Sequence, residues 1–185
     1  MTQPSQPGSS RRQFLATSST AAAAVAVAPA LSAGLHAGGS DLMKIGLVGC
    51  GGRGTGAASQ ALMADSGVEL VAMADAFEDR LMNSRKTLQR QFNKEGQAAR
   101  VNVIDDNCFT GFEAYKKVVD MSDVVLLAST PHFRPRHLKA AVDAGKHVFC
   151  EKPVAVDAPG LRSVMESVAK ARENKTSLVS GLCWR

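Results

Sequence analysis

Three glycines, Gly49, Gly51 and Gly54, interrupt the chain where the apolar run Lys44-Ile45-Gly46-Leu47-Val48 gives way to a helical pattern. Their G-x-G-x-x-G spacing suits a diphosphate. Gly49 lets the chain turn sharply off a strand, Gly51 lets a diphosphate approach bare backbone, and Gly54 lets the following helix pack close to the sheet. The anion would rest on the unpaired N–H groups and positive dipole end of that helix, in a turn that also contains Gly52 and Arg53. Asp75 closes a second apolar run, residues 68–74, about twenty residues beyond the last glycine, which is the spacing expected of a ribose-binding carboxylate. It can accept hydrogen bonds from the ribose 2′- and 3′-hydroxyls and would repel a 2′-phosphate. NAD is therefore the expected cofactor, with NADP as the second candidate. The plain alternative is that Asp75 only caps the next helix.

A second set of reactive residues follows two later apolar runs. Ser129-Thr130-Pro131-His132 succeeds the unalternating run Asp123-Val124-Val125-Leu126-Leu127-Ala128, and Glu151-Lys152-Pro153 succeeds His147-Val148-Phe149-Cys150. A proline directly after a central strand stops the ladder and forces an extended turn. Such turns lie at the carboxyl ends of the strands, where open α/β sheets bind ligands. Ser129, Thr130, Pro131 and His132 are accordingly assigned to the cofactor loop. Glu151 and Lys152 would face the same crevice. The Lys152 ammonium can hydrogen-bond a substrate hydroxyl and favour its alkoxide as hydride leaves for a nicotinamide. Its plain alternative is a surface Glu–Lys pair of small energetic weight.

Alternating strands and helices must hold these residues. Ala57, Ala58, Ala61 and Leu62 mark the inner face of the first helix at helical spacing. A long polar helix after Asp75 is expected to bury Phe77, Leu81, Leu88 and Phe92 and to end near Gly96. Either residues 101–104 or the segment at Cys108 and Phe109 supplies a short third strand, followed by a brief helix over 112–119. A helix over 137–144, with Leu138, Ala141 and Val142 inward, stops at Gly145. Asp157 caps the last helix, whose apolar stripe is Leu161, Val164, Met165 and Val168. Residues 177–182 form the sixth strand. This alternation predicts right-handed crossovers and a single doubly wound parallel α/β sheet, the Rossmann arrangement, with strands buried on both faces.

The formal net charge of +5 includes Arg11 and Arg12. These belong to Ser10-Arg11-Arg12-Gln13-Phe14-Leu15, which precedes an uncharged alanine-rich run over 16–33, the pattern of a twin-arginine export signal. The run is too short and alanine-rich for a stable membrane span. The expected division is a signal over 1–33, a flexible leader over 34–42 and a nucleotide-binding domain over 43–185. A protein exported by that route would be periplasmic, with the export machinery as a partner, and would take up cofactor in the cytoplasm before leaving. Without the two arginines, 20 bases face 17 acids, too small and dispersed an excess to suggest nucleic acid. The four cysteines, Cys50, Cys108, Cys150 and Cys183, have no metal-ligand spacing, and no metal is expected. Free, mostly buried thiols are the expectation, with a Cys150–Cys183 bridge as the alternative.

The chain resembles the Gfo/Idh/MocA oxidoreductases, which include glucose-fructose oxidoreductase and inositol dehydrogenase. The shared pieces are Gly49-Cys50-Gly51-Gly52-Arg53-Gly54, Ala74-Asp75, Thr130-Pro131, and Ala144-Gly145-Lys146-His147-Val148 leading into Glu151-Lys152-Pro153. The resemblance implies NAD or NADP across the strand ends and Lys152 contacting both nicotinamide and substrate. It also implies a cis bond into Pro153 and a sugar or polyol substrate. Where the family usually carries a histidine after Thr-Pro, this sequence has Arg134 or Pro135, so no catalytic histidine is assigned there. The family also implies a second, mostly antiparallel domain that completes the substrate pocket and the dimer surface. The sequence ends at Trp184-Arg185, so the expectation is a nucleotide-binding portion that oligomerises only through that domain. A glycosidase of the same fold, using NAD without net redox change, and a non-catalytic nucleotide-binding module are the rival expectations.

Overall fold

The computed structural model describes residues 42–182; the expected export signal and Cys183 lie outside them. Six parallel strands form one sheet in the order β3-β2-β1-β4-β5-β6. They are β1 Met43–Val48, β2 Val68–Asp75, β3 Cys108–Thr110, β4 Val124–Leu127, β5 His147–Cys150 and β6 Leu178–Ser180. The helices are α1 Gly52–Ala64, α2 Glu78–Lys94, α3 Tyr115–Met121, α4 Arg134–Asp143 and α5 Ala158–Glu173. The order reverses between β1 and β4. That reversal opens the crevice of a doubly wound sheet at the carboxyl edge.

Burial of the strands on both faces follows from two separate cores. On one face Ala58 and Leu62 of α1 and Leu81, Leu88 and Phe92 of α2 cover Leu47, Leu70 and Met73. On the other, Tyr115 and Val118 of α3, Leu138 and Ala141 of α4 and Val164 of α5 cover Val48, Ala72, Val125 and Val148. Leu70 and Met73 share a face despite an odd separation because the β1–β2 register shifts between Ile45 and Gly46, leaving an extra residue in β2. The strands read as continuous apolar runs for this reason.

Several expectations change. Phe77 is 58% exposed and stands just before α2, so the buried face of that helix is Leu81, Ser84, Leu88 and Phe92. Leu161 and Met165 are also exposed; α5 turns Val164, Ser167 and Ala171 inward, on the side that packs against α4. The third strand is Cys108–Thr110, while Val101 makes only an isolated bridge to Leu70. The helix expected over 112–119 is displaced to α3, leaving Phe112 exposed. Helix α4 begins one turn early at Arg134, since Pro135 falls in its first turn, where a missing N–H costs nothing. Asp157 caps α5 as expected, its Oδ1 accepting the Gly160 N–H at 2.7 Å. Cys50 and Cys150 are buried free thiols and Cys108 is half-buried.

Candidate functional site

The glycine turn is fixed by contact. Gly49 has φ +97°, and a Cβ there would lie 2.4 Å from the Ser129 nitrogen. A Cβ on Gly54 would lie 1.9 Å from the Gly49 carbonyl oxygen, so α1 can approach the strand end only with glycine at this place. The N-cap of α1 is Gly51, which offers no side-chain cap, and the first turn contains no acid. Its opening amides have no capping side chain, and the helix dipole there favours negative charge.

Asp75 fastens this turn. Its Oδ2 accepts the Cys50 N–H at 2.6 Å, and its Oδ1 accepts the Phe77 N–H at 3.0 Å. The carboxylate therefore joins the glycine loop to the start of α2. Ionised carboxylate oxygens have room for about four hydrogen bonds, which leaves capacity for two sugar hydroxyls. The Cys50 thiol donates to the Ala74 carbonyl at 3.4 Å, and burial, reinforced by the Asp75 charge, pushes its pKa up. It is a packing residue in the loop, with no thiolate available for chemistry.

A cleft of about 390 Å³ opens over the ends of β1, β2, β3 and β4. Gly49, Gly51, Asp75, Ser129 and Thr130 line it, as do several residues that sequence reasoning did not assign: Phe77, Arg80, Phe112, Tyr115, Phe133 and His137. Aromatic groups form a continuous wall. Phe112 lies 5.5 Å from Phe133, Phe133 stacks on His137 at 6.1 Å, and His137 stacks on Tyr115 at 4.2 Å. Phe77 lines the same cleft, with the Arg80 guanidinium 5.6 Å from its ring centroid. Aromatics make up only 5% of the chain, and no sequence spacing links these residues, because separate loops and helices deliver them. His137 Nδ1 lies 3.0 Å from Ser129 Oγ. Burial lowers its pKa to about 4, keeping the imidazole neutral at physiological pH.

The remaining assigned residues sit outside the cleft lining. Gly54 is buried beneath the turn, while Gly52 and Arg53 are exposed on the first turn of α1. His132 is exposed, edge-on to Phe133 at 5.1 Å, and Pro131 is half-buried. Glu151 is 2% exposed, and Arg53 donates to its Oε1 from both Nε and Nη2 at 2.7 Å. That ion pair brings the glycine loop and the Glu151-Lys152-Pro153 segment to the same end of the sheet. Lys152 is exposed there and the Lys152–Pro153 bond is cis. Arg134 is buried, and its Nη1 donates to the Pro153 carbonyl oxygen.

An open glycine-bounded helix terminus, a carboxylate at the end of β2 and a cleft at the strand-order reversal define a dinucleotide-binding domain of the doubly wound class. The chain belongs to the oxidoreductase family with an NAD-binding Rossmann fold, GFO_IDH_MocA, whose model matches residues 43–181. It is similar to the inositol 2-dehydrogenase of Cereibacter sphaeroides, 30% identical over 125 residues, covering 68% of this chain and 32% of that protein. It is also similar to glycosyl hydrolase family 109 protein 1 of Bacteroides fragilis, 26% identical over 138 residues, covering 72% of this chain and 27% of that protein. The fold is shared with the scyllo-inositol dehydrogenase of Lactobacillus casei, with a TM-score of 0.59 and 24% identity, covering 77% of this chain and 37% of that one. The chain spans about a third of the length of the inositol dehydrogenases it matches.

Proposed function

We propose that this chain is the nucleotide-binding portion of an exported NAD(P)-dependent oxidoreductase that transfers hydride between the cofactor and a sugar, polyol or related hydroxy compound. The observation that supports the reading is Asp75, which lines the cleft beside the glycine turn and accepts the Cys50 N–H. The inositol dehydrogenases among its relatives support a polyol substrate. Bound NAD supplies the hydride acceptor. Gly49, Gly51 and the first turn of α1 would hold its diphosphate, Asp75 would accept from its adenosine ribose, and Lys152 would donate a hydrogen bond to the oxygen of the substrate hydroxyl being oxidised. Neutral His137 and the aromatic wall exclude water on the adenosine side. Export by the twin-arginine route rests on Arg11-Arg12 and the alanine-rich run behind them.

Calorimetry on the 185-residue chain tests the cofactor assignment. NAD is expected to bind more tightly than NADP. Asp75→Ala should weaken NAD by roughly 10- to 100-fold, the equivalent of charge-assisted hydrogen bonds at about 1.5–3 kcal/mol, and should narrow its preference over NADP. A folded chain that binds neither dinucleotide at millimolar concentration would falsify the assignment. The Bacteroides fragilis relative favours a second reading, a glycosidase that oxidises and re-reduces its substrate. Release from a nitrophenyl glycoside without accumulation of NADH would select that reading; NADH formation from a polyol would select the first.

A further inference from the structure

Glu151 carries a formal charge into a site where it is only 2% exposed, which costs several kcal/mol unless neighbouring groups compensate. Arg53 and the Lys152 N–H compensate the charge, and two further contacts hold the residue from other parts of the chain. Arg53, on α1 beside the glycine turn, places two N–H groups on Oε1 at 2.7 Å. Oε2 accepts the N–H of Lys152 at 3.3 Å. The Glu151 N–H donates to the Leu127 carbonyl at the end of β4 at 2.9 Å. Past β6, Gly181 presses its backbone on the carboxylate so closely that a Cβ would meet Oε1 at 2.8 Å and Oε2 at 3.0 Å.

The next peptide is held from another side. Arg134 at the start of α4 is 5% exposed, and its Nη1 donates to the Pro153 carbonyl. Its Nε is buried without a hydrogen-bond partner, so the guanidinium is kept in place at an energetic cost. The Arg53 side chain is about half exposed, and an ion pair open to water on one side adds little stability, so stability alone is a poor reason for this arrangement. What it delivers is geometry: residues 151–153 are gripped from α1, β4, the chain after β6 and α4.

We propose that Glu151 and Arg134 are positioning residues, with Arg53 as the strut, which fix the backbone of Lys152 relative to the diphosphate turn so that cofactor seating and lysine placement are coupled. This inference rests on the cofactor reading above. Arg53 and Glu151 then act mainly through Lys152, instead of serving as direct ligands of the dinucleotide.

The test compares NADH with ADP-ribose, which keeps the adenosine and diphosphate but lacks the nicotinamide, by calorimetry on the full chain. Residues that act as a unit couple, so Glu151→Gln is expected to weaken NADH by roughly tenfold while ADP-ribose changes by less than about threefold. Lys152→Met should produce the same selective loss, and the double variant should bind NADH little worse than the weaker single variant. Arg53→Lys and Arg134→Lys, which keep the charge, should retain more of the NADH-to-ADP-ribose ratio than Arg53→Gln and Arg134→Gln. If Glu151→Gln does not fold, the Arg53 and Arg134 variants complete the same cycle with Lys152→Met. Additive losses, or equal weakening of both ligands, overturn the inference while leaving the cofactor reading intact. Failure of the unaltered chain to bind either ligand removes both.

Discussion

On the β3-β2-β1 side of the carboxyl edge, the cleft is walled by Phe77, Phe112 and Tyr115 and floored by main-chain atoms of the glycine turn, with Asp75 as its acid. On the β4-β5-β6 side, Arg53, Glu151 and Arg134 hold a projecting segment by ion pairing and hydrogen bonds, and Lys152 stands in the open. The first side is a container, shaped by packing. The second is a mount, kept in place by charge. A container must tolerate one ligand shape and can be rigid, whereas a mount must hold a reactive group at a set distance from what the container holds. The difference explains why the cleft survives as geometry in the free chain while the lysine side is defined only by its ties.

The largest effect is expected of Gly54→Ala. A methyl group 1.9 Å from the Gly49 oxygen must push α1 away from the strand end. Overpacking of this kind costs about 1–3 kcal/mol or more, so a lower urea midpoint and at least a tenfold loss of NAD affinity are expected. Unchanged binding would mean that the container does not depend on the tight turn.

A second effect, on stability and not on cofactor affinity, separates the sides by pH. Since burial holds His137 near a pKa of about 4, against about 6.5 in an unfolded chain, the unfolded state binds the extra proton in that interval. Stability contributed by the neutral ring is complete above about pH 6.5 and is lost as pH falls toward about 4, by up to roughly 3 kcal/mol. His137→Gln should flatten this part of the stability profile measured by denaturation across pH. The smallest effect belongs on the surface beneath the mount. Asp143 links Lys139 of α4 to Lys170 of α5, both at 2.6 Å. Asp143→Asn should alter stability by less than about 1 kcal/mol, with the remainder screened by salt, as thermal unfolding at two ionic strengths would show.

Much of the container's backbone was legible in the residues. Glycine spacing marked the turn, the distance to Asp75 marked the second strand end, and unalternating apolar runs marked strands buried on both sides. The aromatic wall was not, because Phe77, Phe112, Phe133 and His137 come from separate elements and meet only after the sheet has formed. Periodicity placed Phe77 inside α2 and Leu161 and Met165 inside α5, yet it reports only which residues share a helix side, not which side meets the sheet. Arg134 was visible as a departure from a family pattern. Its contact with Pro153 follows from the early start of α4, which Pro135 permits and which a 3.6-residue apolar count does not reveal.

The hydrogen bond from Cys50 to Asp75 has one further consequence. A loop pinned in this way while it waits has little conformational freedom left to surrender. More of the contact energy with an arriving nucleotide is then expressed as affinity, and less is consumed in bringing order to the peptide.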